Sequence, residues 1–389
     1  MSQKKDYTQR VAFIDRQKEK KYLLDWASRE PNEILFIYGP KSSGKTTLLN
    51  KMVDNWIDHK KFEIKHFNLR KLLISNFTDF IQAFFEIDYA QSKKDIKKKR
   101  EYNLKVFKLS KEVITGLSKK ELDPFVVMDR ELVKLNQKGI QPVIIIDELQ
   151  ALEDIYMNGQ RQLLKELFNF FVAITKESHS CHVIIASSDG YFMNRIYNDS
   201  KLKKTSVFFE VNYLSENETK NWLKRIDTEN EISRYSLSDK QINIIWDYIG
   251  GSMWEISNIL GELLTIAEKN KVTDAQVLEI IHRRIAICCG ELHHYAGIYH
   301  HKKCLLKHIY KLTEKKQNFF ISDLELLVND KIFDASDLTN ELADLVAQNF
   351  LSFHPTNGEF QLQGKSMEHG LKNYIQEIGG NDADLGTTE

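Results

Sequence analysis

The segment GPKSSGKT, Gly39 to Thr46, follows the apolar run 34–38 and precedes a helical pattern carrying Leu48, Leu49, Met52 and Val53. It fits G-x-x-x-x-G-K-[ST], and a loop of this kind between a strand and a helix turns successive backbone N–H groups inward on a phosphate. The glycines permit the bend and the close approach. A helix starting near Lys45 adds the positive end of its dipole, the Lys45 ammonium is expected on the β- and γ-phosphates, and the Thr46 hydroxyl on Mg²⁺. Gly39, Pro40, Lys41, Ser42, Ser43, Gly44, Lys45, Thr46 and Thr47 are thus expected to cradle a nucleoside triphosphate.

About a hundred residues downstream, PVIIIDELQ (142–150) is a continuous apolar run ending in two acids. That is the form of a buried parallel strand that delivers carboxylates at its C-terminal edge. Asp147 is expected to hold Mg²⁺, and Glu148 to orient and deprotonate the attacking water; an adjacent acid pair points to hydrolysis where a lone Asp points to binding. The competing reading is two acids that merely cap a strand. A third run, HVIIASSDGYF (182–192), ends in Ser187 and Ser188, hydroxyls placed to sense the γ-phosphate or position the water, a catalytic role expected of Ser188, or to cap the next helix. With FEIKHFNLR (62–70) and the amphipathic QRQLLKELFNFFVAIT (160–175), strands and helices alternate. Such alternation predicts an α/β fold with a parallel sheet and helices on both faces.

At 389 residues the chain exceeds the usual size of one domain. A 42% hydrophobic and 28% charged composition is that of a soluble globular protein. No apolar segment reaches membrane-span length and the N-terminal residues lack a signal-peptide pattern, so a cytoplasmic location is expected. Net charge is zero, yet residues 91–120 carry eleven Lys/Arg against three Asp/Glu. A basic insertion of this kind meets nucleic acid or an acidic partner, or is simply a solvated helix face.

Taken in order, AFIDRQKEKKYLLDW (12–26), GPKSSGKTT, IIIDELQ, IIASSDGYF and GGSMWEI (250–256) resemble the predominantly archaeal P-loop ATPases of the STAND branch of AAA+-like proteins, along most of the chain. The first of these is similar to that family's F-x-x-R-x-x-E-x-x-x-L segment. The resemblance implies an ASCE-type ATP-binding core, a helical lid and a C-terminal winged-helix domain, with Asp15 and Arg16 near the adenine side. Two departures stand out. Thr205 occupies the position of a family arginine, with Lys203, Lys204 or Arg195 as possible substitutes, and Met253 replaces the proline of G-G-x-P.

The expected organisation is a P-loop core over 1–212 with the basic helical insertion near 91–120, a helical lid over 213–290, a winged-helix domain over 291–378, and a disordered tail over 379–389. LSENETKNWLKRI (214–226) and SDKQINIIWDYIG (238–250) read as lid helices with serine caps. In CCGELHHYAGIYHHKKCLL (288–306), three cysteines and four histidines invite a metal reading, but no established zinc spacing is present, and buried thiols with interfacial imidazoles are the preferred interpretation. The C-terminal pattern reads as three helices, over 303–316, 321–330 and 335–350, and two short strands over 351–363 joined at an Asn357-Gly358 turn; its third helix carries Asp337, Glu341 and Asp344 with no Lys or Arg. DNA binding depends on basic side chains, so a protein partner is favoured over nucleic acid. The function expected is a Mg²⁺-dependent ATP-hydrolysing switch, with a DNA-associated ATPase resembling archaeal replication initiators and a scaffold of low turnover as the alternatives.

Overall fold

The computed structural model describes residues 9, 12–14, 16–87, 106–157, 161–199, 202–268 and 270–384. Five strands form the central sheet: β1 (Ile34–Tyr38), β2 (Phe62–Asn68), β3 (Gln141–Asp147), β4 (His182–Ala186) and β5 (Ser206–Glu210), in the order β2-β3-β4-β1-β5 and all parallel. Alternate residues face opposite sides, as strand geometry requires. Phe36, Ile144, Ile146, Val183 and Ile185 enter one core; Leu35, Ile37, Val143, Ile145 and Ile184 enter the other, with Leu23 and Trp26 of α1 (Gln17–Ala27) and Leu48 and Leu49 of α2 (Lys45–Lys51). Both faces are therefore covered, which is why these strands read as unbroken apolar runs.

The register brings the functional ends together. Asn68 pairs with Asp147, Asp147 with Ala186, and Ile37 also with Ala186, so the C-terminal ends of β1 to β4 lie side by side. The helices α3 (Leu163–Val172) and α4 (Gly190–Asp199) flank β4 in the chain.

Among the described residues four helices of eight residues or more follow the sheet before the C-terminal unit: α5 (Glu216–Leu223), α6 (Asp239–Ile249), α7 (Met253–Ile266) and α8 (Asp274–Ala296). Ser215 and Ser238 cap α5 and α6 through reciprocal capping boxes, as the serine positions suggest. Their core, built on Trp222, Ile245, Leu260 and Ile281, also takes in Ala12 and Ile14, so the N-terminal segment packs against these helices as well as against the sheet.

The C-terminal unit comprises α9 (His300–Thr313), β6 (Asn318–Phe319), α10 (Ala335–Ala347), the antiparallel pair β7 (Leu351–Phe353) and β8 (Phe360–Leu362), and α11 (Lys365–Asp384). β6 joins the β7–β8 hairpin as a third strand that the sequence pattern does not signal. The expected second helix splits into a 3₁₀ turn, Ile321–Leu324, and a short helix, Glu325–Asn329.

Three expectations need correction. The boundary near 290 falls inside α8, because Ile285 belongs to the preceding helical core and Cys288 to the C-terminal one, on a single uninterrupted helix. Residues 379–384, expected to lack order, continue α11, and 385–389 lie outside the described residues. Residues 91–105 of the basic segment are also outside them; the remainder includes a strand, Phe107–Leu109, paired with Phe85–Ile87, and a helix, Lys111–Ser118. Among the described residues no helix is long and apolar enough to cross a membrane.

Candidate nucleotide site

The loop after β1 adopts the conformations its glycines foreshadow: Gly39 has φ +144°, Gly44 φ +95°, and Ser42 between them φ +64°. A β-carbon on Gly39 would lie 2.2 Å from the Val211 carbonyl oxygen, so glycine is required by contact as well as by dihedral. Lys45 curls back over the loop, its Nζ donating to the Gly39 carbonyl at 2.9 Å and the Pro40 carbonyl at 2.8 Å. The Thr46 hydroxyl donates to Asp147 Oδ2 at 2.7 Å, and Asn68 Nδ2 reaches the same oxygen at 3.3 Å. Asp147 Oδ1 is buried without a hydrogen-bond partner, as is Ser43 Oγ. An unmatched carboxylate oxygen beside a threonine hydroxyl, both at the foot of an anion cradle, fits a hydrated divalent cation.

Lys45 and Thr46 border a cavity of about 470 Å³. Its lining combines polar groups of the loop, with Glu148, Arg70 and Ser188, and the apolar side chains of Phe13, Met253 and Trp254. The size and this mixture of polar and apolar lining suit a nucleotide with its base against side-chain faces.

Glu148 is held more firmly than the sequence suggests. It stands at φ +64° with its N–H on the Ala186 carbonyl at 2.9 Å. Its carboxylate pairs with Arg70 Nη2 at 2.6 Å and accepts from Gln150 Nε2. Ser187 Oγ in turn donates to Gln150 Oε1 at 3.0 Å and accepts the Asp189 N–H at 3.0 Å. Ser187 is thus a support for the acid, Ser188 lines the cavity, and the cap of α4 falls to Asp189, whose Oδ1 accepts the Phe192 N–H at 2.9 Å, rather than to either serine.

Arg16 lines the same cavity as Phe13 and Trp254, but its guanidinium is engaged elsewhere: Nη2 donates to the Ser43 carbonyl at 2.6 Å and the Asn212 carbonyl at 2.8 Å, and Nη1 pairs with Glu19 at 2.7 Å. It braces the loop. Asp15 lies outside the described residues. None of the substitutes for the missing arginine points at this site. The Thr205 carbonyl accepts the Ile34 N–H, which puts residues 203–205 at the opposite end of the sheet, about 17 Å away for five residues of strand. Arg195 is paired with Glu153.

Sequence reasoning passed over Arg70, Gln150, Phe13 and Trp254 as site residues. Phe13 had a signal in the F-x-x-R pattern; Arg70 lies in a 3₁₀ turn just beyond β2, and nothing local marks it.

A family profile described as an ATPase domain predominantly from Archaea matches residues 13–259. The chain belongs to this family. Relatives of the ATPase-domain protein include an uncharacterized ATP-binding protein of Methanocaldococcus jannaschii, 30% identical, with the alignment covering 95% of this chain and 98% of the relative. A second ATP-binding protein of that organism is 37% identical over 64% of this chain and 69% of its own. The fold of this ATPase-domain protein is similar to that of the Walker-type ATPase of Pyrococcus abyssi, with a TM-score of 0.62 at 16% identity, covering 95% and 98% of the two chains. The Aeropyrum pernix ORC2 protein in its ADPNP–ADP complexes gives 0.53 at 13% identity, covering 97% and 98%.

The buried lysine gives the ATPase domain a pH signature. Burial lowers the Lys45 ammonium to about 8, against the opposing pull of Glu148 and Asp147. A bound triphosphate places negative charge on Nζ and raises that value, so the protonated form binds more tightly. Affinity for ATP is expected to stay level below pH 8 and to fall by up to about tenfold per pH unit above it, with proton uptake on binding. Calorimetric titration at pH 7 and pH 9, in two buffers of different ionisation enthalpy, measures both; equal affinities and no proton uptake would remove the effect.

Proposed function

We propose that the chain is a Mg²⁺-dependent ATP hydrolase that works as a switch, its C-terminal unit being a winged-helix domain latched on the nucleotide core. In this reading Lys45 and the loop N–H groups hold the triphosphate, Glu148 takes the proton of the attacking water, and Arg70 and Gln150 hold its carboxylate in place. Thr46 and Asp147 would hold the cation, which supplies charge neutralisation on the phosphates. Ser188 is placed to contact the γ-phosphate. The apolar side chains of Phe13, Met253 and Trp254 would take the adenine, with Arg16 securing the loop beneath.

The observation that carries the switch is the seat of the hairpin. His354, at its tip, shares a 2.5 Å hydrogen bond with the hydroxyl of Tyr38, the residue directly before the phosphate loop. Asn194 Nδ2 donates to the Pro355 carbonyl at 2.6 Å, and a β-carbon on Gly190 would stand 1.9 Å from the Phe353 carbonyl oxygen. Between hairpin and core lies a cleft of about 400 Å³ whose lining includes Gly39, Pro40 and Ser188. Ser188 therefore borders both the nucleotide cavity and the hairpin cleft, so a change at the γ-phosphate has a short path to the latch.

Gly190→Ala tests the switch, because the added methyl clashes with the hairpin backbone while its own helix tolerates alanine. Spin labels or dyes on the core and on α10 should report a longer separation with ATP in a non-hydrolysing background than with ADP. In Gly190→Ala the separation should be long in both states. A wild-type distance unchanged between ATP and ADP would end the switch reading.

The likeness to the ORC2 protein raises a DNA-associated role, and the C-terminal unit argues against it. Asp337 and Asp344 are exposed on α10, while Glu341 turns inward to Tyr295 and Lys302. Neither α10 nor the β7–β8 hairpin carries a Lys or Arg, and the hairpin tip is occupied by the core. A protein partner fits this surface better.

A further inference from the structure

The ATP cycle leaves the cysteine- and histidine-rich stretch between α8 and α9 unused. Cys289 and His293 are four residues apart on α8, hence on one face of the helix, although neither Cys288 with Cys289 nor His293 with His294 shares a side. Glu377 reaches the same spot from α11. Its Oε2 lies 2.7 Å from His293 Nε2 and its Oε1 3.7 Å from Cys289 Sγ, and the ligand atoms of the three residues all lie within 4.8 Å of one another.

We propose that Cys289, His293 and Glu377 form a zinc-binding site that staples α11 to α8. A tetrahedral zinc with bonds of about 2.3 Å to sulfur and about 2.0–2.1 Å to nitrogen or oxygen holds its ligand atoms about 3.3–3.7 Å apart. The Cys289–Glu377 separation already matches. The His293–Glu377 pair must open by about 0.6 Å to reach that spacing, and both side chains are half-exposed, at 43% and 58% relative accessibility, Glu377 the more so. A thiolate, an imidazole and a carboxylate together favour zinc over Mg²⁺ or Ca²⁺, which prefer all-oxygen ligands. Water completes the fourth position. Binding exchanges the Cys289 thiol proton for the metal and releases it to solvent, with no change of oxidation state.

The helix pair is set for this role. A β-carbon on Gly370 would fall 2.6 Å from Cys288 Cβ and 3.1 Å from the Cys289 nitrogen, so the two helices abut at that point. Glu377 lies about two turns farther along α11. The buried Tyr374 ring meets the His293 ring edge-on at 4.7 Å and limits its orientation. The other cysteine–histidine contact, Cys304 Sγ to His300 Nε2 at 3.3 Å, has no third ligand in its group and serves as an internal control.

Cobalt(II) is the probe, because a cobalt–thiolate bond gives a near-ultraviolet charge-transfer band that carboxylate and hydroxyl ligands at the nucleotide site cannot give. Titration of the full-length reduced protein should yield that band with one equivalent of Co²⁺, bleached by Zn²⁺. Cys289→Ser should abolish it and Cys304→Ser should preserve it. Since loss of even a second-shell partner costs about 10–100-fold in metal affinity, His293→Ala and Glu377→Gln should each weaken binding at least about a hundredfold. Zn²⁺ should also raise the melting temperature of the wild type but not of Glu377→Gln, a surface change that leaves folding intact. No thiolate band in the wild type, a band surviving Cys289→Ser, or one indifferent to Glu377→Gln would overturn the site.

Discussion

Lys45→Ala will abolish useful ATP binding, lowering affinity by at least about a hundredfold, because hydrogen bonds to a charged group contribute about 1.5–3 kcal/mol each and in the proposed site Nζ would serve both terminal phosphates. The structure adds a second loss. Nζ joins the Gly39 and Pro40 carbonyls, so its removal also loosens the loop that presents the N–H groups. Binding of a fluorescent ATP analogue measures the effect, and a thermal melt confirms folding. A folded variant with undiminished affinity would remove the nucleotide role of the loop.

Glu148→Gln should bind ATP with Mg²⁺ nearly as well as the wild type and cleave it at least about a hundredfold more slowly, the usual scale for losing a general base. Glutamine keeps the shape and a hydrogen bond toward Gln150, but it cannot accept a proton and forfeits the ion pair with Arg70. Single-turnover measurement separates binding from cleavage. Cleavage at the wild-type rate would mean the water is activated elsewhere.

The cradle was legible because its chemistry is local: Gly39 to Thr46 are contiguous, and Asp147 and Glu148 end a run whose unbroken apolarity marks a central strand. What surrounds the acid was not. Arg70 reaches Glu148 only because β2 and β3 pair in a particular register, a property of the folded sheet, and Gln150 only because the chain turns in a 3₁₀ helix directly after β3. The C-terminal helices and hairpin followed from periodicity and the Asn357–Gly358 turn, whereas the hairpin's seat on Tyr38 depends on a contact across 316 positions of chain. The buried thiols expected from the sequence are found at Cys288 and Cys289, whereas the approach of Glu377 from α11 to Cys289 and His293 depends on how two helices far apart in the chain pack. Lys203 and Lys204 suggest themselves as substitutes for the missing arginine by motif alignment, which is blind to which end of a strand a loop occupies.

The unbroken course of α8 has a mechanical consequence. Its 23 residues form a rod about 35 Å long, rooted at one end among the helices that touch the nucleotide cavity and at the other in the C-terminal unit. A rigid lever of that length turns a tilt of about 10° at its root into a displacement of about 6 Å at its tip. A hydrogen bond such as that between His354 and Tyr38 is lost over far less than that distance. On the switch reading this would give mechanical gain at the joint between the two units, and hinging the rod with glycines at the exposed Ala286 and Ile287, between the two cores, would uncouple them.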